Sequence, residues 1–174
     1  MKKNKITIIT TVKNDEKNIE KTIKSVLDQS YKNFEYIVVD GKSNDGTLKI
    51  IKKFRNKLKY FSKKDKNLWD AINYGIKKSS GEVICILNSN DFFYKNALKI
   101  ANRYFNDLKL DYLFGAIKKD RIFYKFEPEK LSYRLNIYPS HSCSFFIKKK
   151  LHKIIGLYNT NYDYCSDYDL FYKL

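Results

Sequence analysis

The sequence predicts an α/β fold with a mostly parallel central sheet flanked by helices, followed by a mixed second half. Three observations predict it. From Ile6 to Leu87, short β-rich apolar runs alternate with amphipathic helical stripes, the pattern of strands joined by right-handed crossovers. Ile37-Val-Val39 and Val83-Ile-Cys-Ile-Leu87 are continuously apolar, as strands covered on both faces are. Beyond Asp91 the alternation gives way to hairpin-like spacing. At 174 residues the chain fits one domain, 1–174, with a first half at 1–91 and a second at 92–174.

Residues 6–12 read as the first strand, leading into a helix over 16–29 with Asn14 or Asp15 as its cap. Ile19, Ile23, Val26 and Leu27 make the apolar stripe of that helix. Residues 34–39 form the second strand, which Asp40 ends. Gly41-Lys-Ser-Asn-Asp-Gly-Thr47 is turn chemistry, with Asp45 before Gly46 as a turn residue, and Leu48, Ile51 and Phe54 place a second helix after it. A short third strand falls at 58–62. A third helix follows at 68–78, with Leu68 or Trp69, Ile72 and Ile76 inward and Gly81 as its stop.

The fourth strand spans 83–87 and runs out at Asn88-Ser-Asn-Asp91. Ala97, Ile100, Ala101 and Tyr104 make another helical stripe, and residues 112–117 and 121–126 flank Lys118-Lys-Asp120 as a hairpin. A short strand at 144–147 and a closing helix from about Ser166, with Ser166 and Asp169 spaced as a capping box, complete the chain.

Charge and cysteines narrow the function classes. The chain carries 35 basic and 19 acidic residues, net +16, which favours an anionic partner: nucleic acid, a membrane surface or a phosphorylated small molecule. An abundance of Lys, Asn, Ile and Tyr accounts for the same charge through composition alone. No zinc spacing or aromatic RNP-like motif supports nucleic acid. Cys85, Cys143 and Cys165 lack metal-ligand spacing and are odd in number, which predicts a reducing, cytoplasmic setting. The apolar stretch after Lys5 is broken at Lys13, Asn14 and Asp15, too short for a signal peptide or a membrane span. A basic surface can still lie against the inner face of an anionic membrane.

Asp40, Asp91 and Asp167 each sit where an apolar run meets a turn, and ligands of open α/β sheets bind beyond the carboxyl ends of the strands. The segments around them carry a family resemblance. Ile6-Thr-Ile-Ile-Thr-Thr-Val-Lys-Asn14, Thr22-Ile-Lys-Ser-Val-Leu-Asp-Gln-Ser-Tyr31, Val38-Val-Asp-Gly-Lys-Ser-Asn-Asp-Gly-Thr47, Trp69-Asp-Ala-Ile-Asn-Tyr-Gly75, Gly81-Glu-Val-Ile-Cys-Ile-Leu-Asn-Ser-Asn-Asp91 and Ser166-Asp-Tyr-Asp-Leu170 resemble, in order, the motifs of family 2 glycosyltransferases. These are inverting enzymes of the GT-A fold that build bacterial surface polysaccharides.

The resemblance implies a nucleotide-sugar donor, UDP-linked, a glycan or lipid-linked acceptor, and Mg2+ or Mn2+ held by Asp91. It implies that Asp40 and Thr11 face the nucleoside, that Asp70 lines the donor pocket, and that Asp167 takes the acceptor proton. Asn90 stands where the family carries a second acid; it keeps a carbonyl oxygen but loses the charge. His141 matches a position near the acceptor, and a packing histidine is the alternative. For Asp91 and Asp167, a helix cap is the structural alternative. The chain stops at Leu174, just after Asp167, which predicts a C-terminally short form. With Asn90, this keeps open a second expectation, a sugar-nucleotide-binding protein without turnover.

Overall fold

The computed structural model describes residues 3–120, 122–123 and 142–174. In chain order the elements are β1 (Ile6–Val12), α1 (Ile19–Leu27), β2 (Phe34–Asp40), α2 (Thr47–Lys53), β3 (Lys59–Ser62), α3 (Leu68–Lys78), β4 (Val83–Ile86), α4 (Ala97–Asp107), β5 (Tyr112–Phe114), β6 (Ile117–Lys118), β7 (Ile122–Phe123), β8 (Phe145–Lys148) and α5 (Ser166–Tyr172). Six strands form one sheet in the order β3-β2-β1-β4-β8-β5. β1 pairs in parallel with β2 from Ile6↔Phe34 to Val12↔Asp40, and with β4 on its other side. β8 and β5 extend the sheet antiparallel, β8 on β4 and β5 on β8.

Successive strand side chains point to opposite faces, so β1 feeds two cores. Ile6 and Ile8 pack with Ile23 and Val26 of α1, Ile51 of α2, and Leu98 and Phe105 of α4. Ile9 packs on the other face with Ile72 and Ile76 of α3, Phe145 of β8 and Phe171 of α5. Each fully buried Ile contributes roughly 1.5–3 kcal/mol, and all seven β1 residues are buried. The sheet is therefore a three-layer sandwich whose middle strand is covered on both sides.

Several expectations need correction. Neither Asn14 nor Asp15 caps α1 with its side chain: the helix starts at Ile19, whose N–H donates to the Asp15 carbonyl. Gly81 does not stop α3. Ser79 is the C-cap, in extended conformation, while a Cβ at Gly81 would lie 2.7 Å from Thr7 N and 2.8 Å from Lys5 O. Gly81 is there because the chain crosses the end of β1 too closely for a side chain. On α4 the inward stripe is Leu98, Ala101, Asn102 and Phe105, and Ile100 and Tyr104 face out.

The run at 112–117 divides at Gly115, so that β5 joins the main sheet and Ile117 pairs with Phe123 in the separate β6–β7 hairpin. The remainder of the expected 121–126 strand, and His141, lie outside the described residues. The capping box at α5 does not form. Cys165, at φ 64°, is the N-cap, and the buried Ser166 hydroxyl has no hydrogen-bond partner.

At the opposite end of the sheet from the strand termini, Glu35 is buried and accepts from Lys59 Nζ (2.7 Å), Thr7 Oγ1 (2.7 Å), Ser80 N (2.7 Å) and Ser80 Oγ (3.0 Å). Burial acts to raise this carboxyl, but the four hydrogen bonds outweigh it and take it from 4.5 down to about 2. A folded pKa below the unfolded one stabilises the native state above pH 4.5, and that stability is lost between pH 4.5 and about 2. Glu35→Gln is expected to lose about 2 kcal/mol in urea unfolding at pH 7 and to flatten the acid limb of stability in that window. Gly81→Ala is expected to cost about 1–3 kcal/mol in the same measurement, through overpacking against backbone.

Candidate active site

The strand order fixes where a ligand can sit. β1, β2 and β3 step toward one edge; α3 then carries the chain back across the sheet to β4, on the other side of β1. The order of the strands reverses between β1 and β4, and a crevice opens beyond their carboxyl ends. A cleft of about 510 Å³ lies there. Thr11 and Asp15 line it from the β1 end, Asp65 and Asn67 from the β3–α3 loop, and Asn88 and Ser89 from the β4 end.

Hydrogen bonds tie the two sides together. Thr11 Oγ1 donates to Asn88 Oδ1 (3.0 Å), and Ser89 N donates to the Thr11 carbonyl (3.2 Å). Asp15 accepts from Ser89 Oγ, and from Asn18 Nδ2 at 2.6 Å. Thr11 therefore has a local duty as well as a place on the cleft wall.

The other sequence-predicted residues lie outside the lining of this cleft. Asp40, fully buried, accepts from Ser43 Oγ (2.5 Å), Ser43 N (3.2 Å) and Ser62 Oγ (2.6 Å). It fixes the β2–α2 loop. The following residue, Gly41, comes so near the cleft that a Cβ there would lie 2.8 Å from Asp65 Oδ2. Asp70 sits in the first turn of α3, accepting from Lys66 N (3.3 Å) and Lys63 Nζ (3.4 Å). The cap of α3 is Asn67, whose Oδ1 accepts from Asp70 N at 3.1 Å. Asn73 braces the fold through a reciprocal pair with the Tyr158 backbone, 2.8 and 3.0 Å.

Asn90 is exposed and left-handed, φ 75°, a conformation that Asn tolerates better than most residues. Asp91 follows, its N–H donating to the Asn88 carbonyl at 3.1 Å. The Asp91 charge reaches across to Cys143 just before β8: burial first, and then this carboxylate, push the Cys143 thiol up to about 12. Asp167, in the first turn of α5, accepts from Tyr168 N at 2.9 Å. Burial, with the Asp167 charge, raises the Tyr158 phenol. Tyr158 stacks on Trp69, near the start of α3, at 5.4 Å.

Among the described residues, no three His, Cys, Asp or Glu side chains are grouped closely enough to hold a metal by themselves. Mg2+ and Mn2+ at phosphate-transfer and related sites take one or two carboxylates and complete their shell with substrate phosphates and water. A lone Asp91 beside an Asn90 carbonyl fits that donor set and no all-protein cage.

The acids that do line the cleft, Asp15 and Asp65, were not singled out from the sequence. Both follow strand ends, which is the available signal, but Asp15 reads as a helix cap and Asp65 falls between the strand at 58–62 and the helix at 68–78. Burial first, then the Asp70 charge, raises the Asp65 carboxyl above 3.8 against the opposing pull of Lys13 and Lys63.

A sequence model of glycosyl transferase family 2 matches residues 7–163. The chain belongs to this family. It is 32% identical, over 97% of its length, to an uncharacterized glycosyltransferase of Rickettsia typhi, and spans 58% of that relative. It is 32% identical, over 64% of its length, to the poly(ribitol-phosphate) beta-N-acetylglucosaminyltransferase TarP of Staphylococcus aureus, covering 36% of it. Among solved structures, S. aureus TarS 1-349 in complex with UDP superposes with a TM-score of 0.78 at 24% identity, over 96% of this chain and 54% of that one. The Pyrobaculum calidifontis mannosyltransferase PcManGT, in complex with GDP-Man and Mn2+, gives 0.75 at 19% identity, over 97% of this chain and 50% of that one. The fold is GT-A.

For Asp65 the folded pKa exceeds the unfolded one, so its contribution is most favourable when protonated and is lost as pH rises through the folded pKa. Asp65→Asn is expected to raise the urea midpoint of the ligand-free protein at pH 7, by an amount that shrinks as pH falls toward 3.8. An unchanged or lower midpoint at pH 7 would show that the ionised carboxylate is already compensated.

Proposed function

We propose that this family 2 member transfers a sugar, with inversion, from a UDP-linked donor to a hydroxyl of a glycan or lipid-linked acceptor. The observation that carries this reading is the cleft at the β1–β4 switch point, lined on its β4 side by Asn88 and Ser89, which lead into Asn90 and Asp91. The solved structures of TarS with UDP and of PcManGT with GDP-Man and Mn2+ support a nucleotide-sugar and a divalent cation. The poly(ribitol-phosphate) acceptor in the name of TarP supports a cell-envelope polymer.

In this reading Thr11 and Asp65 face the nucleoside, and Asp40 shapes their wall by holding the loop from Gly41 to Ser43. Asp70 orders the start of α3, and Lys13 and Lys66, both on the cleft, lie beside the diphosphate. Asp91 would hold Mg2+ or Mn2+, with Asn90 offering only a carbonyl oxygen. The cation, when bound, neutralises charge on the diphosphate leaving group. Asp167 accepts the proton of the acceptor hydroxyl, whose oxygen forms the new bond to the anomeric carbon from the side opposite the diphosphate. The bond to the diphosphate breaks with its electron pair leaving on the phosphate oxygen, so configuration inverts.

Among the described residues no helix is long and apolar enough to cross a membrane. The +16 charge suits a protein resting on the anionic inner face of one. Asn90, in place of an acid, favours the second reading, a donor-binding protein without turnover.

Release of UDP from a panel of UDP-sugars, with Mn2+ or Mg2+ and an acceptor extract, tests these readings. Turnover is expected to stop with EDTA, and to fall about 100-fold or more in Asp167→Asn with donor affinity kept. Donor binding with no turnover, identical in wild type and Asp167→Asn, would establish the non-catalytic reading instead.

A further inference from the structure

The segment Thr22-Ile-Lys-Ser-Val-Leu-Asp-Gln29 belongs to the family resemblance, yet none of it lines the cleft. Its uncharged polar residues fall at 22, 25 and 29, positions that share one face of α1 and its C-terminal end. That face holds the stretch between β4 and α4. Asn90 N donates to Thr22 Oγ1 (3.2 Å), and Thr22 Oγ1 donates to the Asp91 carbonyl (2.8 Å). Phe93 N donates to Ser25 Oγ (3.2 Å). Gln29 Nε2 donates to the Tyr94 carbonyl (2.9 Å), and Gln29 Oε1 accepts from Leu98 N (3.2 Å) in the first turn of α4. Asn96, the N-cap of α4, makes no side-chain cap bond, so Gln29 supplies the missing acceptor.

Thr22 and Gln29 are fully buried. A polar side chain in the core of a helix face costs stability unless it is satisfied. Here each is satisfied by backbone of the stretch from Asn90 to Leu98. The tightest part of the arrangement is at Thr22, where one hydroxyl accepts from Asn90 N and donates to the Asp91 carbonyl, so it holds the peptide groups on either side of the Asn90–Asp91 pair. Asn90 is held left-handed at that point. The direction in which the Asp91 carboxylate leaves the backbone is set by the backbone of this bracketed pair.

We infer that Thr22 is a positioning residue for the donor's cation and diphosphate: its hydroxyl brackets the backbone of Asn90 and Asp91, from Asn90 N to the Asp91 carbonyl, so that Asp91 is presented in one orientation, with Ser25 and Gln29 anchoring the rest of the segment. The inference rests on the proposed role of Asp91. Groups that orient a metal ligand in this way typically change metal affinity about 10- to 100-fold when removed.

Calorimetric titration of UDP, with and without Mn2+, tests it in wild type, Thr22→Val, which keeps the shape without the hydroxyl, and Thr22→Ser, which keeps the hydroxyl. If Thr22→Val does not fold, Thr22→Ala, which leaves the same space as Ser without the hydroxyl, takes its place. The gain in UDP affinity from Mn2+ is expected to fall about 10- to 100-fold in the Val or Ala protein, with metal-free UDP affinity unchanged and with the wild-type gain kept in Thr22→Ser. A full Mn2+ gain without the hydroxyl, or an equal loss in Thr22→Ser, overturns the clamp. Absence of any Mn2+ gain in wild type overturns the proposed role of Asp91, and this inference with it.

Discussion

Parallel pairing of β1 with β2 on one side and β4 on the other is the constraint on which the rest of the structure depends. Parallel neighbours cannot be joined by hairpins, so every connection must cross a face of the sheet and cover it with a helix. The first crossovers, through α1 and α2, cover one face and α3 covers the other. This encloses β1 in apolar side chains along its whole length. The chain can pass from β3 to β4 only by returning over β1 and β2, and that return splits the loops at the strand ends into two groups. The cleft is the gap between those groups, so its place follows from strand order before any particular side chain is considered.

What lines the gap is then decided by register. The ladder between β1 and β4 continues past the regular strand, with Leu87 N donating to the Ile9 carbonyl and Ser89 N to the Thr11 carbonyl. Thr11 and Ser89 therefore reach the opening side by side. On the far side, Asp40 ends β2 in register with Val12, and its carboxylate turns to Ser43 and Ser62 instead of the cleft. One acid, Asp40, is spent holding the loop behind the wall, and a second, half-buried acid, Asp65, lines the cleft. A cleft whose margin carries Asp15, Asp65, Lys13 and Lys66 is charged in both signs, which suits a ligand that brings phosphate together with hydrogen-bonding sugar and base.

The strands and α3 were legible in the sequence because their patterns are local: continuous apolar runs for buried strands, and a 3.6-residue stripe for α3. The features that were not legible are those satisfied from a distance. The first turn of α4, which turns Leu98 and Phe105 inward, is held by Gln29 just past α1, which no local stripe records. Gly81 looks like a helix stop until the approach of Thr7 and Lys5 is seen. Ser166 and Asp169 have capping-box spacing, but Cys165 occupies the cap and Asp169 pairs with Lys173 at 2.6 Å. In the site, the family resemblance pointed to Thr11, which lines the cleft, and to Asp40, which lies outside its lining, while Asp15 read as a helix cap and Asp65 as part of a loop.

The most direct measurement is a crystal structure of the protein grown with UDP and Mn2+. A donor site at the switch point predicts nucleotide density between Thr11 and Asp65 and an anomalous Mn2+ peak at the Asp91 carboxylate. Nucleotide bound at another surface, or Mn2+ held away from Asp91, contradicts it.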